Sequence, residues 1–256
     1  MKSFTLRQQA RLTGIAYMIF AASAIYGYMY VMKQINVPGN VISTANNIVR
    51  NETLYRSSIA TGVLTNILFL VVVLMLYHLL RHSGVQLARM MAGLVLMGIP
   101  AVLVAVATKI TALYILKGQV MTSFSSLQMQ ELATAFIRLG NFTSQIATIL
   151  WGLWLFPLGV LVYRCGFIPW IFGVLLIING IGYVVGGIAF IVLPDYHSVI
   201  MKAMYPTYFI GEIPFMFWLV IKGTKGRSVS RNRKQETGNR KRKTGNGRLD
   251  LKHVLI

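Results

Sequence analysis

Side chains that do acid–base and metal chemistry are scarce in this chain: 256 residues contain 6 Asp and Glu, 4 histidines and a single cysteine, Cys165. One cysteine excludes an intramolecular disulfide and a cysteine-rich metal site. The sequence also lacks a Walker loop, a nucleophile motif and a glycine-rich dinucleotide turn. The scarcity of acids and histidines argues against an intramembrane enzyme, because general acid–base catalysis depends on those side chains.

Apolar residues are abundant instead. They make up 55% of the chain, and six long apolar stretches fill most of the first 221 positions. A helix needs about 20 apolar residues to cross the hydrocarbon core of a bilayer. The stretches are apolar on every side, whereas strands of a membrane barrel alternate apolar and polar residues over about ten positions. The sequence therefore predicts an all-α fold, a polytopic membrane helix bundle of six transmembrane helices.

The six predicted spans cover approximately Leu12 to Met32, Ser57 to Leu80, Leu87 to Ile115, Asn141 to Tyr163, Phe167 to Leu193 and Tyr205 to Ile221. A polar segment, Leu127 to Leu139, is expected to extend the fourth span outward as one long helix. Pro100 predicts a kink in the third span, because proline removes one backbone hydrogen bond. Three residues, 164–166, separate the fourth span from the fifth, and such a short connection predicts a tight antiparallel hairpin.

Basic residues greatly outnumber acidic ones, 25 against 6, and 12 of the 25 lie in the last 35 positions. We therefore divide the chain into a six-span membrane domain, residues 1–221, and a disordered polybasic tail, residues 222–256, because the tail composition buries too little apolar surface to fold. Anionic lipid headgroups are the expected partner of the tail, and a solvated end that enforces topology is the alternative. Nucleic acid is not expected as a partner in a membrane context. The tail is most basic at Arg240, Lys241, Arg242 and Lys243.

Basic residues in short loops determine the orientation of a multi-pass protein. Outside the tail they divide evenly between the two sides, so the tail decides the orientation. Three acidic residues agree with it, because Glu52, Glu131 and Asp195 would all face outward. We predict that both termini lie in the cytoplasm (N-in/C-in), and that an impermeant thiol reagent reaches Cys165 from that side alone.

Two charged residues lie inside predicted spans, Lys109 in the third and Glu212 in the sixth. Each is expected roughly 10 Å below the outer interface, at about 1.5 Å per residue. An unpaired charge in hydrocarbon costs at least about 2.5–3.5 kcal/mol, so such residues are usually paired or functional. One hypothesis is a proton- or cation-linked site lined by both. The favoured alternative is a structural ion pair between the two spans, and Lys109 reaching out to the interface is another.

Arg56 is a third candidate, because it opens the second span after a polar segment. It either reaches toward Glu212 or anchors the helix at the interface. His78 and His82 are spaced for one helix face, but no third ligand is evident, so no metal site and no cofactor are predicted.

Gly182 and Gly186 form a small-xxx-small pattern in the fifth span, with Asn179 on much the same face. This pattern lets helix backbones approach closely. Packing inside the bundle is the favoured explanation, and a homo-oligomer through these glycines is the alternative.

Short strings distributed between residues 11 and 223 are similar to those of one family of uncharacterised bacterial multi-pass membrane proteins, the domain-of-unknown-function 4386 family. The resemblance covers roughly residues 8–223, and it implies a protein of the bacterial inner membrane without a known activity, ligand or catalytic residue. The basic tail departs from the family pattern, whose members tend to end soon after the last span. The strings are Arg11-Leu12-Thr13-Gly14-Ile15-Ala16-Tyr17, Thr44-Ala45-Asn46-Asn47-Ile48, Leu54-Tyr55-Arg56, Leu76-Tyr77, Leu79-Leu80, Gly166-Phe167-Ile168-Pro169, Gly182-Tyr183, Gly211-Glu212, Trp218-Leu219 and Lys222-Gly223.

Three function classes remain open. The first is a non-enzymatic membrane protein of unknown biochemical role. The second is a small transporter or an ion- or proton-linked carrier that uses Lys109, Glu212 and Arg56, and the third is an intramembrane enzyme. An inverted repeat would favour the transporter, but Pro100 in the third span and Pro157 in the fourth do not occupy corresponding positions.

Overall fold

The computed structural model describes residues 4–224, and every regular element in that range is a helix. Six helical segments are long and apolar enough to cross a membrane, which confirms the predicted six-span bundle. The predicted polybasic tail, with Arg240, Lys241, Arg242 and Lys243, lies outside the described residues. The first to sixth spans are Leu6–Ile35, Glu52–Ser83, Val85–Leu116, Ser126–Arg164, Trp170–Val192 and His197–Ile221.

We name the two ends of the bundle by the chain segments that lie there. At the terminal end, the two ends of the described chain come together, and the Arg11 guanidinium donates a hydrogen bond to the backbone oxygen of Ile221, at 3.1 Å. The loop end holds the longer connections, and there the Lys117 ammonium donates to the Glu52 carboxylate at 3.0 Å. A short helix at the loop end, Val41–Arg50, was not predicted from the sequence.

The first span contains a π-helical turn. Its helix begins with a capping box, in which Thr5 and Gln8 each accept a hydrogen bond from the other's backbone N–H. The π-helical turn, Ile25–Tyr30, lies between the α-helical segments Leu6–Ala24 and Val31–Ile35. Such turns frequently occur at functional sites, and this one includes Tyr28, which lines the cavity described below.

The fourth span confirms the long helix predicted from its polar lead-in. It begins at a capping box on Ser125 and runs as Ser126–Leu153 and Leu155–Arg164, with a break at Trp154. Pro157 explains the break, because its ring nitrogen cannot donate to the preceding turn. The third span, by contrast, continues as one α-helix through Pro100. The connection after the fourth span is tight, as predicted, and Gly166 adopts a left-handed φ of 72° there.

Glycines let the fourth and fifth spans pack backbone against backbone. A Cβ atom built on Gly159 would lie 2.6 Å from the carbonyl oxygen of Gly173, and one on Gly152 would lie 2.7 Å from that of Gly180. A larger residue at these crossings would force the two helices apart, because small residues are what allow such close approach.

The predicted glycine pair of the fifth span packs inside the chain. A Cβ atom on Gly186 would lie 2.6 Å from the Tyr208 hydroxyl oxygen, and one on Gly182 would clash with Thr207. Both partners belong to the sixth span, which confirms packing within the bundle. The homo-oligomer stays a prediction, and the face that carries these glycines is covered by the same chain.

The sixth span is a broken helix. It consists of His197–Met204, Thr207–Ile210 and Glu212–Ile221, with Pro206 and Gly211 next to the breaks. The span begins eight positions before its predicted start at Tyr205, so Glu212 is the fifteenth residue after the start. Glu212 therefore lies in the interior of this helical segment, and not near its start as predicted, because the sequence pattern did not reveal the helix before Pro206.

Candidate functional site

A cavity of about 810 Å³ lies inside the bundle and is lined by side chains from all six spans. This volume is within the range of about 300–1,000 Å³ that is typical of small-molecule sites. Most of the lining is apolar, and both predicted intramembrane charges belong to it. The polar lining residues are Tyr17, Tyr28, Thr65, Asn66, Lys109, Asn141, Ser144, Gln145, Thr148, Tyr183, Tyr208 and Glu212.

Glu212 is fixed by two neighbouring spans. It begins the last helix of the sixth span, where the partial positive charge of a helix N-terminus favours a carboxylate. Its carboxylate accepts a hydrogen bond from the Tyr17 hydroxyl, and its backbone N–H donates to the Asn179 side-chain oxygen at 3.2 Å. Within residues 4–224, no basic side chain forms an ion pair with Glu212 at 4.0 Å or less.

Lys109 lies over an aromatic ring. Its ammonium nitrogen is 5.7 Å from the centroid of the Tyr28 ring, within the range of a cation–π contact. In the part of the chain that the structure describes, no carboxylate pairs with it. The structural ion pair between Lys109 and Glu212, which the sequence favoured, is therefore not formed.

The two charges lie at different levels of the cavity. Tyr17 contacts Glu212 and Tyr28 contacts Lys109, and these tyrosines are eleven positions apart on the first span. At about 1.5 Å rise per residue, eleven residues place the Cα atoms of the two tyrosines roughly 16 Å apart along the helix. The expectation that the two charges share one depth is wrong, and the cavity has an acidic level and a basic level.

Six aromatic residues of the cavity lining include Tyr17, the partner of Glu212. We call these six, which are given at the end of this paragraph, the aromatic wall. Phe20 stacks on Phe69 with centroids 4.8 Å apart, and Phe69 meets Trp154 edge to face at 5.2 Å. On the other side, Tyr183 stacks on Tyr208 at 4.3 Å. All members line the cavity, and they come from the first, second, fourth, fifth and sixth spans. The aromatic wall comprises Tyr17, Phe20, Phe69, Trp154, Tyr183 and Tyr208.

Arg56, the third predicted site residue, does not line the cavity. Its guanidinium Nε donates to the Glu52 carboxylate at 2.7 Å, and Lys117 bonds both oxygens of the same carboxylate at 3.0 Å. This cluster joins the loop ends of the second and third spans. The structure does not bring Arg56 to Glu212, and the role of an interfacial anchor stays a prediction.

Within the described residues, the histidines and Cys165 do not form a metal-binding group. Across residues 4–224, no group of three or more His, Cys, Asp or Glu side chains could hold a metal ion. Cys165 is 7% exposed, and its thiol donates to the Val162 carbonyl oxygen at 3.1 Å. Burial raises the pKa of the Cys165 thiol, and the thiolate is the reactive form of cysteine. The orientation test by thiol labelling therefore needs a cysteine introduced at an exposed position.

The tyrosines that contact the two charges, Tyr17 and Tyr28, were not predicted as site residues. Each is an ordinary residue within an apolar helix, and nothing in its own span marks it. One signal was available, because Tyr17, Tyr183 and Glu212 each end a string that carries the family resemblance. These three string ends all line the same cavity.

Six spans around a mostly apolar cavity define a polytopic helical membrane protein. The family model "Domain of unknown function (DUF4386)" matches residues 12–223, and the chain belongs to this family. An uncharacterized protein of Archaeoglobus fulgidus is 32% identical over 142 residues, which cover 51% of this chain and 84% of that protein. No solved structure matches the chain. Because neither family nor relative carries an activity, function has to be inferred from the cavity.

Proposed function

We propose that this protein is a non-enzymatic membrane carrier that binds a small amphiphilic molecule in its cavity, with Glu212 and Lys109 as polar contacts. One observation carries this proposal: both charges line the same cavity, and neither is neutralised by another described side chain. An unpaired charge at membrane depth is costly, and such residues usually mark substrate, ion or proton pathways.

The broken sixth span supports a carrier. Discontinuous helices form the substrate sites of many secondary transporters, with half-helix ends pointing at the ligand. Irregular backbone at membrane depth is tolerated where it lines a cavity. Gly211 separates two helical segments directly before Glu212, so the acidic level lies at a point where the backbone can change direction.

Filling the cavity tests this proposal. Ala21 lines the cavity, and the Ala21→Trp variant should displace a bound molecule. Ala60, on the exposed surface of the second span, provides the matched control Ala60→Trp. We expect native mass spectrometry of the purified protein to show a small organic adduct in the parent and in Ala60→Trp, and its loss in Ala21→Trp. An adduct equally abundant in Ala21→Trp, or absent from the parent, contradicts the proposal.

We also propose that the carrier lies in the bacterial inner membrane with both termini in the cytoplasm, where the polybasic tail binds anionic lipid headgroups. The excess of basic residues at 222–256 supports this orientation.

Two introduced cysteines test the orientation, because the native Cys165 is buried. His82 is exposed at the terminal end and Gln119 at the loop end. We expect an impermeant maleimide to label His82→Cys in inverted vesicles and Gln119→Cys in intact spheroplasts. The opposite pattern contradicts N-in/C-in, and labelling of both from one side contradicts the six-span topology.

A further inference from the structure

The acidic level of the cavity has the chemistry of an organic-cation site. Glu212 supplies one negative charge, held in place by the Tyr17 hydroxyl and by the start of a helix. The six residues of the aromatic wall belong to the lining of the same cavity, and one of them, Tyr17, donates to the Glu212 carboxylate. Aromatic rings attract cations through their negative faces, and cages of such rings recognise quaternary ammonium groups.

A bare metal cation fits this environment poorly. Calcium takes six to eight oxygen ligands and magnesium an octahedral set, whereas Glu212 is the single carboxylate among the lining residues. Most of the cavity lining is apolar or aromatic, and such surfaces contact a large, weakly hydrated cation well. The aromatic wall thus favours alkylammonium groups over small inorganic ions.

The basic level restricts how such a ligand lies. Lys109 lies over Tyr28, whose Cα atom is roughly 16 Å along the first span from that of Tyr17, the partner of Glu212. Because Coulomb energy falls with distance, Glu212 in contact with an ammonium group outweighs the repulsion from Lys109. A second cationic group at the Lys109 level would be repelled, so the rest of the ligand should be apolar or anionic.

We propose that Glu212 and the aromatic wall bind the alkylammonium group of an amphiphilic organic cation, whose apolar body extends into the cavity toward Lys109. This assignment rests on the proposed carrier function, since it names the ligand class of the same cavity.

Benzyltrimethylammonium is the probe for this assignment, and neopentylbenzene, in which carbon replaces the charged nitrogen, is the neutral compound of the same shape. Binding to the full chain in nanodiscs is measured by calorimetry. We expect the ammonium compound to bind at least tenfold more tightly than the neutral one. Glu212→Gln should weaken ammonium binding at least tenfold, because it removes the charge and keeps the shape.

Two further variants separate charge recognition from folding. Arg56→Met removes a positive charge from an exposed ion pair outside the cavity and should leave ammonium affinity unchanged. Phe20→Leu keeps an apolar side chain but removes a ring face, and should weaken ammonium binding about threefold without affecting the neutral compound.

The outcomes distinguish this assignment from the carrier function on which it rests. Equal affinity for the two compounds, or for parent and Glu212→Gln, overturns the ammonium site. If Ala21→Trp then still abolishes binding of the neutral compound, the cavity remains a binding site for another ligand class. Absence of binding by either compound, together with absence of a native adduct, overturns both.

Discussion

Gly159→Ala should lower the free energy of unfolding by about 1–3 kcal/mol, the usual cost of overfilling a packed contact. The new methyl group would lie 2.6 Å from the carbonyl oxygen of Gly173, and a backbone atom cannot rotate away as a side chain can. Gly152→Ala should have a similar effect, because its methyl group would lie 2.7 Å from the Gly180 carbonyl oxygen. Unfolding with an anionic detergent in mixed micelles measures both values.

Gly93→Ala is the matched control. Gly93 also lies inside a membrane span, but a Cβ atom there meets nothing within 4 Å. This variant should be neutral or stabilising by up to about 1 kcal/mol, because alanine favours helix more than glycine does. If all three variants behaved alike, the close crossing of the fourth and fifth spans would be wrong.

Lys109→Met and Glu212→Gln should each leave stability unchanged or raise it, by up to about 2.5 kcal/mol. The reason is that each substitution removes an unpaired charge from the membrane. In Glu212→Gln, the amide oxygen can still accept the hydrogen bond that Tyr17 now donates to the carboxylate. The double variant should be additive to within about 0.5 kcal/mol, as expected for residues more than 7–10 Å apart without shared partners.

Arg56→Met is the control for this cycle, because it removes a positive charge from an exposed ion pair at the loop end. Its effect on stability should be small. Two destabilised single variants whose double variant recovers the parent stability would reveal a structural ion pair between Lys109 and Glu212. Such a result would remove the main support for the carrier.

Much of the fold could be predicted from sequence, because the bilayer imposes a simple length rule on apolar helices. The long fourth helix was predicted through its polar lead-in. The start of the sixth span was not, because His197–Met204 is amphipathic and Pro206 interrupts the apolar run. The helix Val41–Arg50 was also missed because it is amphipathic, and its polar residues resemble a loop when read in order.

The candidate site could be predicted less completely. Lys109 and Glu212 stand out in any sequence of this class, because charges are rare inside membrane spans. Their separation could not be predicted, since it depends on the broken sixth helix and on which tyrosine each one contacts. The aromatic wall likewise has no linear signature, because its six residues come from five spans.

The most direct test of the account is the reactivity of a cysteine placed inside the cavity. Ser144 lines the cavity, whereas Ile146 on the same span is 51% exposed on the outer surface of the bundle. We predict that N-ethylmaleimide modifies Ser144→Cys at least tenfold faster than Ile146→Cys in the reconstituted protein, because the cavity admits small molecules and has polar side chains in its lining. Equal and slow modification of both would show that no accessible cavity exists, and would contradict the carrier proposal.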